Sequence, residues 1–288
     1  MSATVRIETA LEDAIARVDP GAPPRLARAI RHAVFPGGAR VRPLLSLAVS
    51  EACGDDQPEL SDAVAVAIEL LHCASLVHDD LPCFDGADTR RGRPSVHAAF
   101  GEPLAVLVGD GLIVMAFECL ARAGSGAPER LVPLIRTLSA SAGASTGLVA
   151  GQAWESEVDP DLEAYHRAKT GSLFTAATLG GALAAGADPA RWQALGDRLG
   201  EAYQVADDLR DAVSSPEELG KPARQDEALE RPNAVATLGL MGALERLHML
   251  LRQASDAVPD CPGARGLREL VQLQAKRLIP KKLAQSAA

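Results

Sequence analysis

Apolar residues recur along this chain at the spacing of helices, and strand-like alternation of apolar and polar residues is never sustained. Short runs rich in glycine, proline, aspartate or serine separate the apolar segments. The segments 60–77 and 171–185 are apolar or small on nearly every side, which indicates interior helices of a large bundle. We therefore expect one all-α domain over residues 1–288. The pattern predicts helices near residues 4–18, 24–34, 41–53, 60–81, 101–122, 128–150, 161–185, 190–213, 233–257 and 264–278.

Composition narrows the classes of function. Among 288 residues the net charge is −9 and aromatic side chains make up 3%, so a general basic surface for nucleic acid or anionic lipid is not expected. Five cysteines without paired spacing predict reduced thiols. No signal peptide is recognised, and no uninterrupted apolar segment approaches the ~20 residues of a membrane span. The expectation is a soluble cytoplasmic protein with no nucleic-acid partner and no stable membrane insertion.

Two apolar helices end in clustered carboxylates. Taken singly, each cluster is more often a solvated helix end, but two of them at the ends of apolar helices favour a shared site. Like charges four residues apart on one helix face repel unless a cation lies between them. Magnesium prefers a few carboxylates together with waters and substrate phosphates. The candidate ligands are Asp79, Asp80 and Asp85 in the first cluster, and Asp207, Asp208 and Asp211 in the second.

Basic residues accompany these clusters. Lysine is rare, and only Lys169 and Lys221 lie outside the C-terminal tail, which indicates sites that need a compact charge on phosphate. An arginine-rich loop from Arg90 to Pro94 follows the first acidic cluster directly. A glycine turn at Gly38 precedes the helix that carries Arg42, and backbone N–H groups at such a turn can bind an anion.

The order of these motifs resembles the trans-polyprenyl diphosphate synthases from about residue 30 to residue 240. Residues 35–43 (FPGGARVRP), 75–94 (SLVHDDLPCFDGADTRRGRP) and 203–211 (YQVADDLRD) carry the resemblance, and shorter matches occur at Gly109-Asp110, Gly151-Gln152, Lys169-Thr170-Gly171 and Leu219-Gly220-Lys221. The resemblance implies the isoprenoid synthase fold, a helical bundle around a central cavity, and a homodimer. It also implies the condensation of isopentenyl diphosphate with an allylic diphosphate.

The resemblance assigns roles to individual residues. The six aspartates would hold about three Mg²⁺ ions on the allylic diphosphate, and Arg90, Lys169 and Lys221 would neutralise this leaving group. Thr170 and Gln204 would face the allylic cation as neutral dipoles. Isopentenyl diphosphate would bind Gly38, Arg42, His72 and Arg91. From their positions in the sequence we expect His78 to orient Asp79, His97 to be structural, and Gly151-Gln152 to serve helix packing with a polar contact to the site.

One departure from the family pattern concerns the isopentenyl diphosphate site. Ala39 stands where the family has lysine, so binding would be weakened unless Arg40 or another arginine compensates. The sequence of residues 231–235 (RPNAV) resembles the corresponding segment of bacterial geranylgeranyl diphosphate synthases of carotenoid pathways.

The residue five positions before Asp79 predicts the length of the prenyl chain in the product. Ala74 stands where farnesyl-length enzymes of this type carry an aromatic floor. We expect an open floor here, closed one isoprene unit deeper by Leu70, Leu71 or Phe117. The predicted product is geranylgeranyl diphosphate.

Three alternatives remain at this level. The chain could be a farnesyl diphosphate synthase, or a low-activity regulatory subunit of a heteromeric prenyl synthase, which Ala39 favours slightly. A class I terpene cyclase is disfavoured by the second motif and by the scarcity of aromatic residues, which such enzymes use to stabilise cations.

Overall fold

A computed structural model describes residues 2–18, 20–35, 38–213 and 233–278, and it confirms the all-α class. Lys221 and the segment 219–221 lie outside the described residues. Single turns of 3₁₀-helix occupy Gly124–Gly126 and Pro189–Trp192. The helices are α1 (Ala3–Ala16), α2 (Pro24–Val34), α3 (Val41–Cys53), α4 (Pro58–Asp79), α5 (Val96–Phe100), α6 (Glu102–Ala123), α7 (Pro128–Ala142), α8 (Leu148–Trp154), α9 (Leu162–His166), α10 (Ser172–Ala184), α11 (Gln193–Val213), α12 (Ala234–Asp256) and α13 (Ala264–Leu278).

The predicted helices are found with small shifts of their ends and four larger differences, one of which is a break in α12 at Gly239, where φ is +71°. The segment 128–150 divides into α7 and α8, because the chain turns back so tightly that a Cβ at Gly147 would lie 2.4 Å from the backbone of Ser141. The arginine-rich loop forms a two-stranded antiparallel hairpin, with β1 (Thr89–Arg90) paired to β2 (Arg93–Pro94), followed by the short helix α5. The segment 161–185 is interrupted by one π-helical turn at Arg167–Gly171.

The interior of the bundle is built around α4 and α10. Nearly every turn of α4 contributes buried residues, and α10 is buried along most of its length between α3, α7 and α11. Alanine and glycine allow close approach: a Cβ at Gly181 in α10 would lie 2.4 Å from the carbonyl oxygen of Ser46 in α3. A second hydrophobic cluster joins α11 to α12. Both acidic helix ends thereby reach one side of the bundle.

Within the part of the chain that the structure describes, three helices, α4, α6 and α12, are long and apolar enough to cross a membrane by length and composition alone. Each of these helices contains charged residues, so the expectation that no uninterrupted apolar segment reaches the length of a membrane span still holds for the described residues. In α4, 72% of the most apolar window is buried within the bundle. One of its charges, Glu69, is buried and paired with Arg40.

Candidate active site

A cavity of about 540 Å³ opens among α3, α4, α8, α10, α11 and the π-turn. Its outer end is lined by carboxylates and cations, including Asp79, Asp207 and Lys169. Its inner end is apolar and is lined by Leu71, Ile113 and other aliphatic side chains. The cavity can therefore hold a molecule with a strongly polar head and a hydrocarbon tail.

Asp79 and Asp85 form one acidic wall of this cavity. Asp79 is the last residue of α4, and the chain after it folds back so that the N–H of Asp85 donates to the carbonyl oxygen of Asp79 over 2.9 Å. Burial raises the pKa of the Asp79 carboxyl, and the nearby Lys169 ammonium opposes this effect. A cation brought against these carboxylates would stabilise their charged form.

Asp207 and Asp211 form the opposite acidic wall, one turn apart on α11. Asp207 accepts a hydrogen bond from Arg210 over 2.7 Å, and its side chain is 61% exposed. Among the described residues, no group of three or more histidine, cysteine, aspartate or glutamate side chains is close enough to hold a metal by itself. A metal bound here would need oxygen ligands from both walls or from a substrate between them.

The structure separates Asp80 and Asp208 from the other four aspartates. The Asp80 carboxylate is buried and is held by Arg90 through hydrogen bonds from Nε at 3.0 and 3.2 Å and a shorter one from Nη2. Asp208 is buried on another side of α11, where it accepts from Gln204 and from the backbone N–H of Ala234. Adjacent helical residues face different directions, so in this conformation neither carboxylate lines the cavity as the sequence analysis expected.

Lys169 and Thr170 lie on the π-turn, which α8 and α11 hold tightly. A Cβ at Gly151 would lie 2.5 Å from the backbone nitrogen of Lys169, and one at Gly200 would lie 2.7 Å from Cα of Gly171. The absence of side chains at these glycines lets the turn reach the cavity. This agrees with the packing role expected for Gly151. Thr170 donates to Oε1 of Gln204 over 2.8 Å, and both side chains line the cavity.

Glu155 is a residue of this region that the sequence analysis missed. Its carboxylate accepts from Nζ of Lys169 at 2.5 Å, from the hydroxyl of Tyr165 at 2.7 Å and from Nε2 of Gln152 at 3.2 Å. The available signal was its position three residues after Gln152, which puts both on one face of the chain at the end of α8.

Arg42 and His72 line the cavity beside the acidic walls. Nη1 of Arg42 lies 3.5 Å from Nε2 of His72, and the guanidinium carbon lies 4.7 Å from the centre of the Phe174 ring. The buried Nε of Arg42 has no hydrogen-bond partner among the described residues. Burial, followed by Arg42 and Arg91, lowers the pKa of His72 well below its usual value, so this histidine is neutral. An arginine with an unsatisfied N–H group, next to an uncharged histidine, favours binding of an anion.

Arg40 does not replace the lysine that Ala39 lacks. Its side chain is 1% exposed and donates to Glu69 over 2.6 Å and to Glu8 over 2.8 Å. It therefore ties the start of α3 to α4 and α1. Arg91, and not Arg40, contacts the glycine turn before α3. Its guanidinium atoms lie 2.6–2.8 Å from the position that a Cβ at Gly38 would occupy.

The histidines near the first acidic cluster contact other groups than Asp79. Nε2 of His78 lies 3.7 Å from Oδ1 of Asp110, and its ring packs on Gly109 of α6, so the orienting role expected for His78 is wrong. His97 hydrogen-bonds Ser95 over 2.9 Å, in keeping with a structural role.

At the apolar end, Ala74 lines the cavity one turn below His78. Leu71 lines it further in, whereas Leu70 is fully buried in the core. From α6 the lining side chain is Ile113 rather than Phe117. Of the residues expected to close the cavity, Leu71 lines it, and Ile113 lines it in place of Phe117.

The sequence model of the polyprenyl synthetase family matches residues 23–262. The chain belongs to the polyprenyl synthetase family. It is 56% identical over 280 residues to the geranylgeranyl diphosphate synthase of Cereibacter sphaeroides and 54% identical to that of Rhodobacter capsulatus, with 97% of each chain covered. A geranyltransferase of Helicobacter pylori, solved with magnesium and isoprenyl diphosphate, superimposes with a TM-score of 0.79 at 30% identity, covering 96% of this chain and 98% of that one.

The donor set of this polyprenyl synthetase fits magnesium. Asp79, Asp85, Asp207 and Asp211 supply hard carboxylate oxygens from two facing walls, and no thiolate lies among them. The walls leave room for a substrate between them, which suits an ion that keeps phosphate and water ligands. Arg42 and His72 lie beside these walls, where a second anion can be accommodated. The geometry of the cavity thus suits two anionic heads and one hydrocarbon tail.

Proposed function

We propose that this polyprenyl synthetase condenses isopentenyl diphosphate with allylic diphosphates and releases geranylgeranyl diphosphate. The observation that carries the proposal is one cavity with facing carboxylate walls, an adjacent arginine–histidine site and an apolar tail. Asp79, Asp85, Asp207 and Asp211 would hold magnesium on the allylic diphosphate. The number of ions, about three in related enzymes, stays a prediction.

The side chains around the cavity suit ionisation of the allylic carbon–oxygen bond. Magnesium, when bound, supplies positive charge that stabilises the departing diphosphate. Lys169 adds a fixed cation on the same side, and the cavity walls limit access of water. Arg42 and His72, with Arg91 nearby against Gly38, would hold the diphosphate of the second substrate. Thr170 and Gln204 present neutral dipoles to the cationic carbon, and neither is a strong nucleophile. In this proposal the cavity carboxylates hold magnesium and His72 holds the second diphosphate, so the released diphosphate is the proposed proton acceptor.

A twenty-carbon product is supported by the small side chain of Ala74. The apolar tail of the cavity continues past Ala74 to Leu71. A farnesyl-length enzyme needs a bulky group at the level of Ala74, and alanine leaves that level open. The names of the relatives from Cereibacter sphaeroides and Rhodobacter capsulatus support the same product.

A homodimer is also part of the proposal. α6 exposes an apolar face on which Val106, Leu107 and Val114 are 43%, 54% and 66% exposed. Several exposed apolar side chains along one helix are typical of a surface that a second subunit covers. The cytoplasmic location predicted from the sequence stays a prediction.

The proposal is tested by incubating the purified chain with labelled isopentenyl diphosphate and dimethylallyl, geranyl or farnesyl diphosphate. Label should enter an acid-labile prenyl diphosphate only when magnesium is present, and EDTA should abolish the reaction. Asp79→Asn and Asp207→Asn should reduce incorporation at least about a hundredfold, whereas Asp88→Asn, at an exposed position, should not. If the purified wild-type chain gives no magnesium-dependent incorporation, a regulatory subunit becomes the better account.

A further inference from the structure

A chain of three hydrogen bonds runs from the cavity through α11 to the start of α12. Oγ1 of Thr170 donates to Oε1 of Gln204 over 2.8 Å, and Nε2 of Gln204 donates to Oδ1 of Asp208 over 3.0 Å. The other carboxylate oxygen, Oδ2, accepts from the backbone N–H of Ala234 over 2.7 Å. Thr170 faces the cavity, while Asp208 is buried, with 4% of its surface exposed.

The direction of every bond in this chain follows from Asp208. A carboxylate can only accept, and the N–H of Ala234 can only donate. Gln204 must therefore turn its NH₂ group to Asp208 and its carbonyl oxygen to Thr170. Thr170 must then act as the donor, which commits its only hydrogen to Gln204. The orientation of the amide is thus set by its hydrogen-bond partners.

The consequence for the cavity is electrostatic. With its hydrogen bonded to Gln204, the Thr170 hydroxyl offers only lone pairs to the rest of its surroundings. A lone pair directed at a developing cation stabilises it, and an O–H hydrogen in the same place would repel it. Such fixed dipoles act strongly where water is excluded.

We propose that Asp208 is a positioning residue whose carboxylate orients Gln204 and Thr170 so that the Thr170 oxygen faces the allylic cation. This inference rests on the proposed prenyl transfer. It gives the second aspartate of the YQVADDLRD motif a role through hydrogen bonds instead of direct metal coordination. It also couples the hydroxyl to the N-terminus of α12.

One substitution reverses the donor–acceptor direction of the hydrogen bonds between Thr170, Gln204 and Asp208, and a second substitution restores it. In Asp208→Asn the side-chain oxygen still accepts from Ala234, but its NH₂ group now faces Gln204. Gln204 must flip, and Thr170 must accept from it, which frees the hydroxyl hydrogen to point into the cavity. In Asp208→Asn/Gln204→Glu, the introduced carboxylate accepts both from the introduced asparagine amide and from Thr170. The double variant carries the same net charge as the wild type.

Asn233→Ala is the matched control, because it shows which effects arise only from a weaker start of α12. Oδ1 of Asn233 caps α12 by accepting from the N–H of Ala236 over 2.7 Å. Its removal weakens the same helix start and leaves the Asp208–Gln204–Thr170 chain intact.

The decisive readout is binding, measured by calorimetry with magnesium present. Two probes are used: an allylic diphosphate analogue with an ammonium nitrogen at the reacting carbon, and its neutral carbon isostere. In Asp208→Asn the preference for the ammonium probe should fall about tenfold, and in the double variant it should return. Asn233→Ala should keep the wild-type preference. An unchanged preference in Asp208→Asn, or equal losses in Asp208→Asn and Asn233→Ala, would overturn the inference.

Turnover supplies a second test that separates this inference from the proposed function. In Asp208→Asn, kcat should fall at least about tenfold while KM for isopentenyl diphosphate and the magnesium requirement stay near the wild-type values. A raised magnesium requirement, like that expected for Asp207→Asn, would instead make Asp208 a metal ligand. If wild-type protein shows no prenyl transfer, the proposed function fails, whereas normal turnover in Asp208→Asn refutes the positioning role alone.

Discussion

The ammonium nitrogen of Lys169 lies 2.5 Å from a carboxylate oxygen of Glu155 and 3.6 Å from one of Asp79. Both carboxylates are largely buried, with 13% of each side chain exposed. Lys169 therefore contacts both Asp79, a candidate metal ligand, and Glu155, which follows α8 and belongs to neither aspartate motif. Glu155 holds the ammonium on its side of the cavity and leaves the Asp79 carboxylate available for magnesium.

Glu155→Gln should raise the magnesium concentration needed for half-maximal activity by about tenfold. The neutral amide no longer balances the Lys169 charge, so Lys169 pairs more closely with Asp79 and competes with the metal. A magnesium titration of turnover measures the effect. Glu157→Gln, an exposed change two residues further on, should leave the titration at the wild-type midpoint. An unshifted midpoint in Glu155→Gln would refute this role for Glu155.

Ala39→Lys should lower KM for isopentenyl diphosphate by about tenfold, because a charge-assisted hydrogen bond to a diphosphate contributes roughly 1.5–3 kcal/mol. Arg40 cannot supply this charge, since it is buried between Glu8 and Glu69. KM for the allylic substrate should stay unchanged. Ala39→Met provides a side chain of similar length without charge and should behave as wild type. If lysine and methionine give the same KM, another group already fills this place.

Ala74→Phe should shorten the main product from twenty to fifteen carbons. The phenyl ring would cross the cavity above Leu71, where Ala74 now leaves space for the fourth isoprene unit. Ala74→Val should give a mixture, and Ala74→Gly should keep the twenty-carbon product. Mass spectrometry of the dephosphorylated products distinguishes these cases. A twenty-carbon product from Ala74→Phe would contradict the assignment of this residue as the open floor.

Glu69→Ala should destabilise the fold by about 3–5 kcal/mol, because it removes one carboxylate from the buried Arg40 guanidinium. Glu8 remains, but it is partly exposed and reached from the other side of Arg40. Equilibrium unfolding in urea measures the change. Glu12→Ala breaks the exposed pair with Arg31 and should cost less than about 1 kcal/mol. Similar losses for both variants would show that the Arg40 network contributes little.

Much of this arrangement could be predicted from the sequence, because the chemistry lies at helix ends. The helix over 60–81 and its carboxylates follow from apolar patterning interrupted by charge, and Lys169 stands out because lysine is rare. The division of each Asp-Asp pair was also accessible in principle, since adjacent helical residues face different sides. Carboxylate clustering and the motif matches do not distinguish the two members of each pair, so together they predict all six aspartates as metal ligands.

Other features depend on tertiary contacts that no local pattern reveals. Glu155 acquires its role only because α8 packs on the π-turn at Gly151 and brings the carboxylate to Lys169. Arg40 is one residue from the missing lysine, yet its left-handed backbone at the start of α3 directs the side chain into the core. The break at residues 143–147 follows from close backbone packing rather than from a proline.

The most direct test of the account is the identity of the product formed from isopentenyl and farnesyl diphosphates by the purified chain with magnesium. After phosphatase treatment, mass spectrometry should detect geranylgeraniol as the main alcohol. Dimethylallyl or geranyl diphosphate as the allylic substrate should lead to the same twenty-carbon end product. Recovery of farnesol alone from every combination would contradict the central claim and make this chain a farnesyl diphosphate synthase.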